Sequence, residues 1–243
     1  MMLPKDVPLP LFITGTDTGI GKTVVAAMVR HCLQQRGRDV AYMKPVQTGC
    51  EFRDGAWIAP DPDWVTRVTG PCSTAAVADA VCPYAFRLPA SPHLAAAEDK
   101  VTIEPDRILA AYQQLAAAHE SVLVEGAGGV WVPLTKKETM RDLMVALGLP
   151  VLVVARAGLG TLNHTLLTLE SLRSVGLTVA GCVLVQTTPE PWGPIESDNI
   201  TTIERWGQTT IWACLPYTPE LANNEWDEPT FRAWVDAGHL APL

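Results

Sequence analysis

The chain has 243 residues, 48% of them apolar and 18% charged, which is globular composition with enough apolar material for a sizeable core. A formal net charge of −8 excludes nucleic-acid binding through a general electrostatic field, while leaving room for a local basic site for phosphates. No segment approaches the ~20 apolar residues of a membrane span, and the first ten residues lack the apolar core of a signal peptide, so a cytoplasmic protein with no membrane and no nucleic-acid partner is expected.

In chain order, residues 11–14 read as a buried strand. Residues 22–36 read as a helix, with Val25, Met28, Val29, Cys32 and Leu33 at helical spacing and Gly37 as its stop. A second strand follows at 40–43. Residues 47–62 and 71–92 are rich in Pro, Gly and small residues and read as irregular, functional loops. Then come a helix at 104–119, a strand at 122–124, a helix at 139–147, a strand at 151–155, a helix at 161–175, a strand at 179–185, a helix at 194–206, a strand at 211–214 and a short helix at 231–236. Strands this apolar are covered on both faces. The fold class is therefore α/β, with a mostly parallel central sheet flanked by helices on both faces, in a single domain spanning 1–243. The six cysteines (Cys32, Cys50, Cys72, Cys82, Cys182 and Cys214) form no CxxC pair, which predicts free thiols and no zinc site.

The sharpest motif is Gly15-Thr16-Asp17-Thr18-Gly19-Ile20-Gly21-Lys22-Thr23, placed between the first strand and the first helix as a phosphate-binding P-loop must be. Backbone N–H groups of Gly19, Ile20, Gly21, Lys22, Thr23 and Val24 would face the β- and γ-phosphates at the helix N-terminus. Lys22 adds a cation there, and the Thr23 hydroxyl suits Mg²⁺. The first glycine falls one residue earlier than in GxxxxGK[ST], so this is a variant loop of the P-loop NTPase type.

GTDTGIGKT resembles the P-loop of the dethiobiotin synthetases. Further blocks agree in order: Tyr42-Met43-Lys44-Pro45-Val46 with Thr48-Gly49, then Ser91-Pro92-His93, Val124-Glu125-Gly126-Ala127-Gly128-Gly129, Val132-Pro133-Leu134 and Gly160-Thr161-Leu162-Asn163-His164. The resemblance spans roughly residues 12–216. It implies an ATP- and Mg²⁺-dependent cyclo-ligase of biotin biosynthesis. Such an enzyme carboxylates 7,8-diaminopelargonic acid with CO₂ and closes the ring through a carbamate and a carbamic–phosphoric anhydride.

The resemblance also implies roles. Holding carbamate and γ-phosphate together requires fixed positive charge, for which Lys22 and Lys44 are the candidates. Thr48 would bond the carbamate or an amine. Glu125, followed by Gly126, Ala127 and Gly128, would sit on the nucleotide side and hold Mg²⁺ with Thr23 and a second acid. Asp61 and Asp63 compete for that second position, and Asp61, six residues before Arg67, has the family's spacing. Gly160, Thr161, Leu162 and Asn163 would bind the substrate's carboxylate tail across the interface of a homodimer. Gln186, Thr187, Pro216 and Tyr217 would surround the base. Gln186 stands where the family has asparagine, which puts the nucleotide preference in question. The competing reading is a partitioning-type P-loop ATPase switch, but such switches carry a lysine early in the loop, where this chain has Asp17.

Overall fold

Six apolar runs become neighbouring strands because none carries enough polar residues to face water on either side. They are β1 (Leu11–Gly15), β2 (Val40–Met43), β7 (Ser121–Gly129), β8 (Val151–Arg156), β9 (Val179–Val185) and β10 (Ile211–Leu215). In the computed structural model, which describes residues 4–53, 55–71, 78–219 and 226–238, they form one sheet in the order β10-β9-β8-β1-β7-β2. Every neighbouring pair in that sheet is parallel. Parallel neighbours need crossover helices, and these cover both faces.

Side chains alternate across the sheet, so each strand feeds two cores. Leu11, Ile13, Val40, Tyr42 and Leu123 face a core with α1 (Lys22–Gln35), α2 (Pro60–Thr69) and the C-terminal α9 (Glu228–Asp236), where Trp64 and Phe231 meet edge to face. Phe12, Ala41, Met43, Val122 and Val124 face the other core. It is covered by α5 (Pro105–Ala118), α6 (Met140–Leu147), α7 (Thr161–Arg173) and α8 (Pro194–Gly207), through residues such as Leu115, Leu143, Leu169 and Ile203.

The two stretches expected to be irregular carry structure. The first holds β3 (Val46–Gln47), a hairpin of β4 (Glu51–Arg53) and β5 (Ala56–Ile58), and the first turn of α2. The second holds α3 (Ala78–Val81) and β6 (Tyr84–Ala85), which pairs in parallel with β3, and it ends at the start of α4 (Pro92–Glu98). Proline explains much of the difference: Pro60 and Pro92 open their helices, where the missing N–H costs nothing. Likewise α9 begins at Glu228, three residues before the expected start, on an Asp227 cap that accepts from the Thr230 N–H at 3.0 Å.

Strand β7 runs five residues past its expected end. Glycine is required along this extension: a Cβ on Gly126 would come within 2.9 Å of the Phe12 ring, and Gly128 sits in the left-handed region at φ 65°. Cys32, Cys50, Cys82, Cys182 and Cys214 are free thiols, and Cys72 lies outside the described residues. No helix among the described residues is long and apolar enough to cross a membrane.

Candidate functional site

The loop after β1 turns sharply into α1. Gly21 caps that helix in the left-handed region at φ 90°, a conformation that favours glycine, and so aims the first-turn N–H groups outward. Lys22 is buried at 6% exposure, and its ammonium donates to the Asp17 carbonyl of its own loop at 2.8 Å. Burial, and then the nearby Lys44 charge, pull its pKa down to about 8, against the opposing pull of Glu125 and Asp61. Asp17 is fixed in turn: it accepts the Thr18 N–H at 2.7 Å and the Arg156 guanidinium from the end of β8.

Next to β1 in the sheet, β7 and then β2 run side by side with Met43 opposite Val124, which brings Lys44 beside Glu125. The Lys44 ammonium lies 2.6 Å from Glu125 Oε1 and 2.6 Å from Asp61 Oδ2. Glu125 Oε1 also accepts the Thr23 hydroxyl at 2.9 Å, and Oε2 accepts the Tyr42 hydroxyl at 2.7 Å. Burial works against the Lys44 charge, but Glu125 and Asp61 outweigh it and hold the ammonium well above the ordinary lysine range. Thr23, Asp61 and Glu125 thus converge as hard oxygen donors, the set that suits Mg²⁺. Asp61 and Asp63 both lie in the first turn of α2 but point apart. Asp61 reaches Lys44, whereas Asp63 accepts from Arg53 at 2.8 Å.

These groups line one cleft of about 690 Å³. Gly19, Ile20, Gly21, Lys22, Thr23, Val24, Lys44, Thr48, Asp61, Glu125, Ala127, Gly128, Gln186, Thr187, Pro216 and Tyr217 all contribute to its wall. Gly126 does not, because it packs beneath against Phe12 and Met140. Gly160, Thr161, Leu162 and Asn163 also stand outside the wall formed by this chain. Thr161 is buried with its hydroxyl 3.1 Å from that of Thr165, while Gly160 and Asn163 are exposed at the start of α7. Ser91 and Pro92 line the cleft; His93 turns back, its Nδ1 3.0 Å from the Ser91 hydroxyl.

At the far end, Gln186 is already engaged. Its amide nitrogen donates to the Glu190 carbonyl, and its oxygen accepts the Tyr217 N–H at 3.4 Å. Sequence reasoning missed Tyr42 and Gln47. Tyr42 had a signal: it stands two residues before Lys44, which directly follows the strand, and a spacing of two in extended chain puts side chains on the same side.

Residues 10–225 match the AAA domain family. Among curated proteins, the ATP-dependent dethiobiotin synthetase BioD of Anaeromyxobacter dehalogenans (strain 2CP-C) is 44% identical over 212 residues, 87% of this chain and 92% of its own length. The protein of the same name from Anoxybacillus flavithermus (strain DSM 21510 / WK1) is 42% identical over 216 residues, 88% of this chain and 94% of its own. Among solved structures, the MinC:MinD cell division protein complex of Aquifex aeolicus matches with a TM-score of 0.56 at 12% identity, over 96% of this chain and 97% of that one. The signal recognition particle 54 kDa protein of Aeropyrum pernix K1, in complex with GDP, matches with a TM-score of 0.54 at 16% identity, over 97% of this chain and 47% of that one. At such identities the structural likeness concerns the fold alone.

Proposed function

The chain belongs to the ATP-dependent dethiobiotin synthetase family, and from that premise we propose that it carboxylates 7,8-diaminopelargonic acid with CO₂ and closes the cyclic urea in the cleft between the β1–α1 loop and Lys44. The reading is supported chiefly by one observation: two buried lysines, Lys22 and Lys44, line the same cleft. A reaction that joins two anions needs that arrangement, because carbamate and γ-phosphate repel one another.

In this reading the P-loop N–H groups and Lys22 hold the phosphates. Lys22 exchanges its bond to the Asp17 carbonyl for a phosphate oxygen. Thr23, Asp61 and Glu125 would hold Mg²⁺, which when bound supplies charge against the β- and γ-phosphates. Lys44 leaves its two carboxylates to hold the carbamate, with Thr48 beside it. A carbamate oxygen attacks the γ-phosphorus as the bond to ADP breaks. The second amine then attacks the carbamoyl carbon, inorganic phosphate leaves, and the amine loses its proton. Ser91 and Pro92 wall the substrate side. Gln186, Thr187, Pro216 and Tyr217 surround the base. A second copy of the chain would present Gly160, Thr161, Leu162 and Asn163 to the carboxylate tail, making the working unit a homodimer of single-domain chains, active in the cytoplasm.

The test is turnover dependence. Purified protein with ATP and Mg²⁺ should release phosphate only when both the diamine and bicarbonate are supplied. Equal hydrolysis without the diamine would defeat the proposal.

A further inference from the structure

Glu125 divides its two oxygens between different neighbours. Oε1 faces the cleft, where the Thr23 hydroxyl and the Lys44 ammonium donate to it at 2.9 and 2.6 Å. Oε2 faces the protein body, where it accepts the hydroxyl of Tyr42 at 2.7 Å. Tyr42 is 2% exposed, and its ring packs in the apolar core between the sheet and α1. We propose that Tyr42 is a positioning residue, whose phenol locks the Glu125 carboxylate in the one rotation that presents Oε1 to the cation at the nucleotide phosphates.

The physical case has three parts. A glutamate has three side-chain torsions, so a carboxylate held only from the cleft is free to swing with whatever the cleft contains. A second hydrogen bond from behind removes that freedom, and bonds to a charged acceptor are the stronger kind. The phenol is the donor of that bond, since an ionised carboxylate has no hydrogen to give. Finally, groups that orient a metal-binding side chain from behind typically alter metal affinity ~10–100-fold when lost. The inference rests on the reading that Glu125 serves the Mg²⁺ of the nucleotide.

The experiment compares wild type, Tyr42→Phe and Glu125→Gln. Mn²⁺ binding in the presence of a non-hydrolysable ATP analogue is followed by electron paramagnetic resonance, and analogue binding without metal by calorimetry. Tyr42→Phe keeps the ring in its core. It should weaken Mn²⁺ binding ~10–100-fold, the range for an orienting partner, while metal-free nucleotide binding changes little. The Mg²⁺ concentration for half-maximal turnover should rise in parallel, and added Mg²⁺ should recover much of the lost rate. A purely structural tyrosine would lower the melting temperature without moving the metal dependence.

If Tyr42→Phe does not fold, Tyr42→Gln, which restores an N–H donor at that depth, should bind Mn²⁺ more tightly than its apolar match Tyr42→Met. Unchanged Mn²⁺ affinity in Tyr42→Phe, or equal affinity in the Gln and Met variants, overturns the inference when Glu125→Gln is impaired. Unimpaired metal binding in Glu125→Gln would instead overturn the underlying assignment of Glu125.

Discussion

Lys44 carries the largest electrostatic burden of any single residue here, because its ammonium is buried against two carboxylates. Removing it should act twice. Lys44→Gln should lower diamine-dependent turnover at least ~100-fold, the scale for losing one electrostatic donor. It should also destabilise the metal-free protein by about 3–5 kcal/mol, the cost of leaving a buried charge unpaired. Mg²⁺ with nucleotide should restore more of the melting temperature in the variant than in wild type, since the cation replaces the missing charge between Asp61 and Glu125. Near-normal turnover in Lys44→Gln would remove Lys44 from the mechanism. Gln186 points the other way. Its amide is spent on Glu190 and Tyr217, which leaves little of it for the edge of a base. CTP and GTP should therefore support turnover within ~100-fold of ATP, because discrimination of ~10⁴ or more requires a site that hydrogen-bonds the distinguishing groups. Strict preference for one nucleotide in a rate comparison would show that the amide turns toward the base. At this scale the sequence was informative where a motif fixed spacing, as for Lys22, Lys44 and Glu125. It told Asp61 from Asp63 only through the family's spacing to Arg67, because two acids in one helical turn otherwise differ only in which side of the turn they face.

Among the elements, α6 shows how a local rule secures part of the cleft's support. Thr139 and Asp142 form a reciprocal cap: the Asp142 carboxylate accepts the Thr139 N–H and hydroxyl, each at 2.7 Å. The helix holds Met140, which packs on Gly126 beneath the site. Thr139→Ala should cost about 1 kcal/mol in chemical denaturation, the usual value of a lost cap. The backbone N–H of Thr139, and then its hydroxyl, lower the Asp142 pKa below its usual 3.8. The contribution is therefore complete above that value and fades as pH falls through the lowered one. Acid unfolding of Asp142→Asn should show a correspondingly smaller pH dependence than wild type, and identical acid transitions would contradict the cap's role. The long strands and helices were legible because continuous apolar runs and helical periodicity persist over many residues. Helices α2 and α4 were not, because each opens on a proline within a proline-rich stretch, and the same residue signals a loop and a helix start.

For the whole molecule, the unanswered need is a partner for the far end of the substrate. The start of α7 carries first-turn N–H groups of the kind that suit a carboxylate, yet Gly160 and Asn163 do not line this chain's own cleft. On the same segment Leu159 is 89% exposed and Leu167 61%, while Leu169 and Leu172 are buried in the core. The sequence offers no way to tell these leucines apart until the helix is docked, and the strand order that sets the docking is equally absent from local pattern. Two exposed leucines beside the helix start that the proposed function assigns to the carboxylate suit an interface with a second copy, which the proposed homodimer supplies. Leu167→Glu should then place an unpaired charge in the contact and convert the protein to a monomer in sedimentation velocity. The diamine KM should rise at least ~10-fold with the loss of one charged contact, whereas Mg²⁺-nucleotide binding, built within one chain, should persist. A wild-type protein that sediments as a monomer at assay concentration and turns over fully would instead require the carboxylate tail to be held within a single subunit.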